Sequence, residues 1–198
     1  MTGFELNDMI TDKTSYRTYI KRDLKAYGLK RVSFYNYFRM EQVRFQLRLR
    51  KIEYLYNVRH QQRWCRLLLF WLEFLNHRLA VRLGFTIPKN VFGPGLCIVH
   101  HGTIVVSPKA EIGENCRIHP CTSIGDYNGA PHIGNNIYIG PGARIFGNIQ
   151  IGNNVAVGAN AVVNSNVPDD VTVGGIPARI LSKTSSIERD LFAEGLFL

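Results

Sequence analysis

From Val106 onward, every sixth residue is valine or isoleucine: Val106, Ile112, Ile118 and Ile124, then, after a three-residue insertion, Ile133, Ile139, Ile145, Ile151, Val157 and Val163. Four places after each, the residue is small or aliphatic at Ala110, Cys116, Thr122, Ile137, Ala143, Ile149, Val155, Ala161 and Val167; Asn128, inside the insertion, is the exception. A period of six fits neither the 3.6-residue turn of an amphipathic helix nor the alternation of a hairpin strand. It fits short parallel strands stacked as a solenoid, each coil resting on the next. Glycines directly after the aliphatic, as at Gly113, Gly134 and Gly152, fall where each strand gives way to a turn.

The repeat does not reach the N-terminal part, and composition divides near Gly84. Residues 1–84 hold 17 Lys/Arg against 7 Asp/Glu and 15 of the 22 aromatics, whereas 15 of the 18 glycines lie from residue 85 onward. Residues 31–83 contain neither proline nor glycine and have a helical texture. The expected fold class is α+β, with a basic, aromatic-rich α-helical region over 1–84, a solenoid over 85–183 and a tail over 184–198. In the tail, Ser185 with Glu188 forms a capping-box pattern that predicts a short terminal helix.

Within Trp64–Leu79 the apolar residues Leu67, Leu68, Phe70, Trp71, Phe74 and Leu75 recur at helical spacing, flanked by Arg63, Arg66 and Arg78. Such a helix suits packing on another copy or on the end of the solenoid. Arginines among aromatics also suit peripheral contact with an anionic membrane face or a lipid-linked glycan. No nucleic-acid recognition motif accompanies the basic block, so nucleic acid is not an expected partner. The N-terminus shows no secretory signal pattern. The longest apolar run, Leu67–Leu72, falls far short of the roughly 18 residues of a membrane span. Four cysteines without a CxxC pair fit a reducing compartment. The expected location is cytoplasmic, extending to the inner face of the membrane.

The stretch GLCIVHHGTIVV, residues 95–106, sets two histidines among apolar residues. His100 lies six before Val106, on a beat where the period expects an aliphatic. His101 lies 18 residues before His119, so a coil of that length would stack the two at the strand spacing of about 4.8 Å. An imidazole with a pKa near ~6.5 can accept the proton of an attacking hydroxyl near neutral pH. Cys97 reads as a small buried thiol rather than a nucleophile. No metal is expected, because His132 lies across the insertion and leaves His101 and His119 without a third ligand.

On this repeat, together with the closing GGIPARIL at residues 174–181, the chain resembles the hexapeptide-repeat acetyltransferases, whose fold is a left-handed parallel β-helix. The closing segment looks like that of the serine acetyltransferase branch, and the resemblance covers roughly residues 85–183. It implies that His100, which matches the histidine preceding the branch's IVV segment (here Ile104, Val105 and Val106), is the catalytic general base. It implies acetyl-CoA as co-substrate, held by Gly140, Pro141, Gly158 and Ala159 with Arg179 and Lys183 on the phosphates. It also implies a homotrimer, either alone or paired with a second trimer through the helical half.

The chain departs from the serine-specific pattern at three places. Phe85 and Val99 stand where that branch has aspartates, and Gly129-Ala130 where it has an Arg-His pair. The groups that would grip a zwitterion are absent. FGPGLCIVHHGTIVV and IGPGARIFG look more like the subgroup that O-acetylates polysaccharides. The expectation is therefore transfer to a hydroxyl of a sugar in a capsular or exopolysaccharide, or its precursor. Asp126, Tyr127 and Asn128 of the insertion would contact this glycan acceptor, Tyr127 stacking on a pyranose ring, while His101 and His119 line its pocket. The alternatives are a serine O-acetyltransferase of cysteine biosynthesis and a non-catalytic or metal-holding scaffold.

Overall fold

The computed structural model describes residues 9–59 and 63–192. Helices α1 (Lys13–Ala26), α2 (Phe34–Arg39) and α3 (Glu41–Tyr54) are followed by a π-helical turn at Leu55–Arg59 and by α4 (Arg63–Leu83). Asp12 and Ser33 cap the first two helices, each accepting a hydrogen bond from the backbone N–H three residues on. The repeat then winds as a left-handed parallel β-helix of about five turns.

Its three faces follow the six-residue period. The first face stacks β1 (Phe85–Thr86), β3 (Ile104–Val106), β6 (Thr122–Gly125), β9 (Arg144–Phe146) and β12 (Val162–Val163). The second stacks β4 (Glu111–Ile112), β7 (His132–Ile133) and β10 (Gln150–Ile151). The third stacks β2 (Cys97–Ile98), β5 (Arg117–Ile118), β8 (Tyr138–Ile139), β11 (Ala156–Val157) and β13 (Thr172–Gly175), and β14 (Ala178–Ser182) closes it in antiparallel pairing. All ten in-phase Val and Ile residues point inward and are buried, and the small or aliphatic residues four places on fill the space beside them. Burying each such side chain stabilises the fold by about 1.5–3 kcal/mol.

The corner between the second and third faces turns on Asn115, Asn136, Asn154 and Asp170, all with φ between 55° and 58°. Asparagine and aspartate tolerate this left-handed region better than other residues with a Cβ. Their side chains form a ladder down the molecule, with successive bonds of 2.8 Å.

The helices complete the open top of the β-helix. Tyr27 Oη accepts from Ile98 N (2.9 Å) and lies 3.0 Å from both Ile98 O and Gln46 Oε1. Gln46 Nε2 donates to Leu96 O (2.8 Å), and Asp23 Oδ1 accepts from Gly95 N and Leu96 N. Arg50, wholly buried, pairs with Asp23 (2.8 Å) and Glu53 (3.0 Å) and donates to Phe92 O and Gly93 O. Phe45, Leu49, Leu79 and Leu83 continue the β-helix core into the helices.

Helix α4 buries Cys65, Asn76, Leu79 and Leu83 on one side and exposes Trp64, Leu67, Phe70, Trp71 and Phe74 on the other. No helix among the described residues is long and apolar enough to cross a membrane. In the tail the capping box forms, with Ser185 N donating to Glu188 Oε2 and Glu188 N donating to Ser185 Oγ. The expected terminal helix does not follow as far as the structure describes the tail. Residues 186–192 make turns, because Ser186 is drawn onto the β-helix by bonds to Asn136 O and Asn154 O, and residues 193–198 lie outside the described residues.

Replacing Arg50 by alanine strands two buried carboxylates and two carbonyls, and is expected to cost about 3–5 kcal/mol. Urea unfolding followed by circular dichroism checks this; a loss under about 1 kcal/mol would show that Arg50 does not hold the helices to the coil.

Candidate active site

The doubled histidine lies on the corner between the third and first faces, and strand register shows why it stands out. Ile98 pairs with Ile118, and Val106 with Ile124. Eight positions therefore separate the upper pair where six separate the lower. Val99 N donates to Ile118 O, which sets Val99 above His119. Gly102 sits on Pro120, so close that a Cβ at Gly102 would fall 2.9 Å from the proline Cβ, and its φ of +139° is one that other residues avoid. Between these two contacts, His100 and His101 are the two residues for which the coil below has no counterpart.

Two expectations change as a result. His100 is exposed rather than on an inward beat, which Ile98 occupies. His101 is also exposed and does not stack on His119, because the coil between Ile98 and Ile118 runs two residues longer than the regular repeat. The insertion, not burial, aims both imidazoles outward.

His119 is half-buried beneath this corner. Its ring centroid lies 4.9 Å from that of Tyr138, and its Nε2 is sealed from solvent with no hydrogen-bond partner among the described residues. Burial first, then the charges of Arg117 and His100, lower its pKa to about 4. Arg117 is itself buried and reaches Ala26 O at the end of α1 (3.3 Å). Cys97 is buried, and burial pushes its thiol up to about 12, too high for a nucleophile near neutral pH.

Below the histidines, backbone bonds from His119 to Ile139, Gly140 to Val157 and Gly158 to Val173 align Val99, His119, Gly140, Gly158 and Gly174 in one column. Pro141 and Ala159 lie exposed beside it. Glycine at 140 serves the stacking of coils, since a Cβ there would come within 2.8 Å of Ala159 N. Arg179 pairs in register with Gly174 at the foot of the column. Lys183 follows Ser182, which pairs with Thr172 at the opposite end of β13, and so stands apart from it.

Asp126, Tyr127 and Asn128 do not join the histidines. They occupy the corner between the first and second faces, across the full width of β6 from His119. Asp126 is tied to Lys109 (3.0 Å), whose hydrogen bond holds its carboxyl below the usual range. Phe85 is buried edge-on against Phe45 (5.2 Å, 70°), so the position where the serine-specific pattern has an aspartate carries an aromatic ring packed into the core. Sequence reasoning missed Arg117 and Tyr138, which pair on adjacent rungs. Each directly precedes an inward isoleucine, and that phase was the available signal.

A β-helix of this repeat, with a histidine-bearing corner above a glycine column, is the fold of the hexapeptide-repeat acetyltransferases. No protein-family model matches the chain. Serine acetyltransferase of Synechococcus elongatus is 34% identical over 116 residues, 56% of this chain and 48% of that protein. The soybean serine acetyltransferase apoenzyme superposes with a TM-score of 0.69 at 30% identity, covering 85% of this chain and 70% of that one. A serine acetyltransferase solved in complex with CoA gives a TM-score of 0.67 at 25% identity, covering 85% and 71%. The chain belongs to the serine acetyltransferase family. It spans about half the length of the curated relatives it matches.

These findings overturn the expectation of a polysaccharide acceptor, since the relatives and structural neighbours are serine acetyltransferases. The geometry explains the error. The insertion assigned to a glycan stands at another corner, and the missing charges were read as a change of substrate class.

The low pKa of His119 has a measurable consequence. Its folded value, about 4, lies below the 6.5 of a free imidazole, so the unfolded chain binds more protons between these values. The stability it contributes is full above pH 6.5 and is lost as pH falls towards 4. An NMR titration midpoint near 4 is expected, and His119→Phe should flatten the stability profile across this window; a midpoint near 6.5 would contradict the burial argument.

Proposed function

We propose that the protein is an acetyl-CoA-dependent O-acetyltransferase acting on a serine-type hydroxyl, with His100 as general base. The observation that carries this reading is the two-residue insertion. It leaves His100 exposed on the corner beside Val99, the head of the glycine column, and His100 matches the histidine of the family's motif. The relatives' names supply the acceptor class.

Acetyl-CoA supplies an activated acyl group. Gly140, Pro141, Gly158 and Ala159 along the column would hold it, with Arg179 at the foot for the phosphates; the neighbour solved with CoA supports the choice of donor. Lys183, at the far end of its strand, is a weaker candidate for the same role. His100 takes the acceptor hydroxyl's proton as its oxygen bonds to the acetyl carbonyl carbon. The carbon–sulfur bond then breaks, and His100 returns the proton to sulfur, leaving an O-acetyl ester and CoA. The proposed assembly is a homotrimer in which the groove between neighbouring β-helices accommodates the donor.

His100→Ala is expected to lower CoA release with L-serine by about 10²–10⁴-fold, with the circular dichroism spectrum unchanged. His101→Ala should cost far less. Near wild-type turnover by His100→Ala would remove His100 from the reaction.

A further inference from the structure

Helix α4 turns Leu79 and Leu83 into the core, and the described residues leave its opposite side uncovered. At about 3.6 residues per turn, Trp64, Leu67, Phe70, Trp71, Phe74 and Leu75 fall on one continuous stripe of that side. The first four are each between 58% and 68% exposed. Large apolar side chains exposed singly are ordinary, but six in a row over about 17 Å of helix mark an interaction surface.

The charges around the stripe indicate what it meets. Between Trp64 and Leu75 the stripe itself carries no charge, while Arg66 borders it and Arg78 and Arg82 continue its side over the next two turns. The Arg78 guanidinium lies 5.9 Å from the centre of the Phe74 ring, and Arg48 of α3 donates to Leu75 O (3.4 Å). The carboxylates that α3 and α4 leave outside the core, Glu41 and Glu73, are bonded to Arg82 and Lys89. Residues 1–84 as a whole hold 17 Lys/Arg against 7 Asp/Glu. A second copy of the chain is a poor occupant, since pairing two stripes would bring two such cationic halves face to face. An anionic bilayer surface satisfies both features, because its headgroups attract the arginines and its acyl boundary accepts the aromatic rings.

We infer that this stripe docks the protein on an anionic phospholipid surface. Helix α4 lies in the plane of the interface, with Trp64, Leu67, Phe70 and Trp71 at the acyl boundary and Arg66 and Arg78 among the headgroups. Such docking needs no spanning segment, in keeping with the absence of any helix among the described residues long and apolar enough to cross a membrane. It reaches beyond the transferase reading and does not depend on it.

Trp64 and Trp71 are the only tryptophans in the chain, so its tryptophan fluorescence reports the stripe alone. The full-length protein should float with vesicles of mixed phosphatidylcholine and phosphatidylglycerol, its emission shifted to the blue and quenched by lipids brominated on the acyl chain. Binding to phosphatidylcholine alone should be at least about tenfold weaker, and rising salt should weaken binding to the mixed vesicles. Trp71→Glu, at an exposed position, should weaken that binding at least about tenfold with the circular dichroism spectrum unchanged. Should it fold poorly, the double variant Arg66→Glu with Arg78→Glu should have the same effect on the mixed vesicles. Failure to float, or equal binding to neutral and anionic vesicles, overturns the inference. So does an emission already blue and unchanged by vesicles, together with a smaller assembly for Trp71→Glu in sedimentation, because the stripe is then covered by another copy.

Discussion

A parallel solenoid pairs every interior coil with two neighbours, but its first coil has none above it, and the unpaired N–H and C=O groups there would be a template for uncontrolled association. In this chain the groups between Asn90 and Ile98 are met by side chains. Glu53 accepts from Asn90 N, Arg50 donates to Phe92 O and Gly93 O, Asp23 accepts from Gly95 N and Leu96 N, and Gln46 and Tyr27 serve Leu96 and Ile98. These are side chains of α1, the turn that ends it, and α3. The helical half is thus the missing coil in another form, and the charge buried with Arg50 is tolerated because every acceptor around it is paired.

The same cap fixes the corner. Ile98 is held from above by Tyr27 and in register with Ile118 below, and Val99, set above His119, is the last regular position before the two extra residues. Gly102, pressed against Pro120, is the first position back in register. The strand is anchored on both sides of the insertion, so the additional length can only project outward. An extra pair of residues in a loosely held turn would spread its slack over neighbouring coils; here the slack is confined to His100 and His101.

What the sequence reveals follows the same division. The solenoid was legible because Val106 through Val163 repeat one physical requirement, an inward aliphatic, ten times. His100 was legible because it breaks that repeat, though the break is an insertion and not a buried imidazole. The cap was not legible, since Tyr27, Gln46 and Arg50 meet residues 42–71 positions away and share no local pattern. The acceptor side was misread for a related reason. Phe85 and Val99 signal that charges are gone, but only the packing of Phe85 against Phe45 shows that position 85 belongs to the core.

Two imidazoles on adjoining coils raise an electrostatic question, because a proton taken up by His100 during turnover would be opposed by a second positive charge beside it. His119 answers this through its environment. Its ring is packed on Tyr138, its Nε2 is closed off, and both burial and the nearby guanidinium of Arg117 disfavour its protonation, so it is neutral at the pH where His100 would act. Exposure and burial thus separate two chemically identical side chains: the corner leaves His100 open to solvent, while the rung below keeps His119 uncharged. A neutral His119 adds no repulsion to a protonated His100.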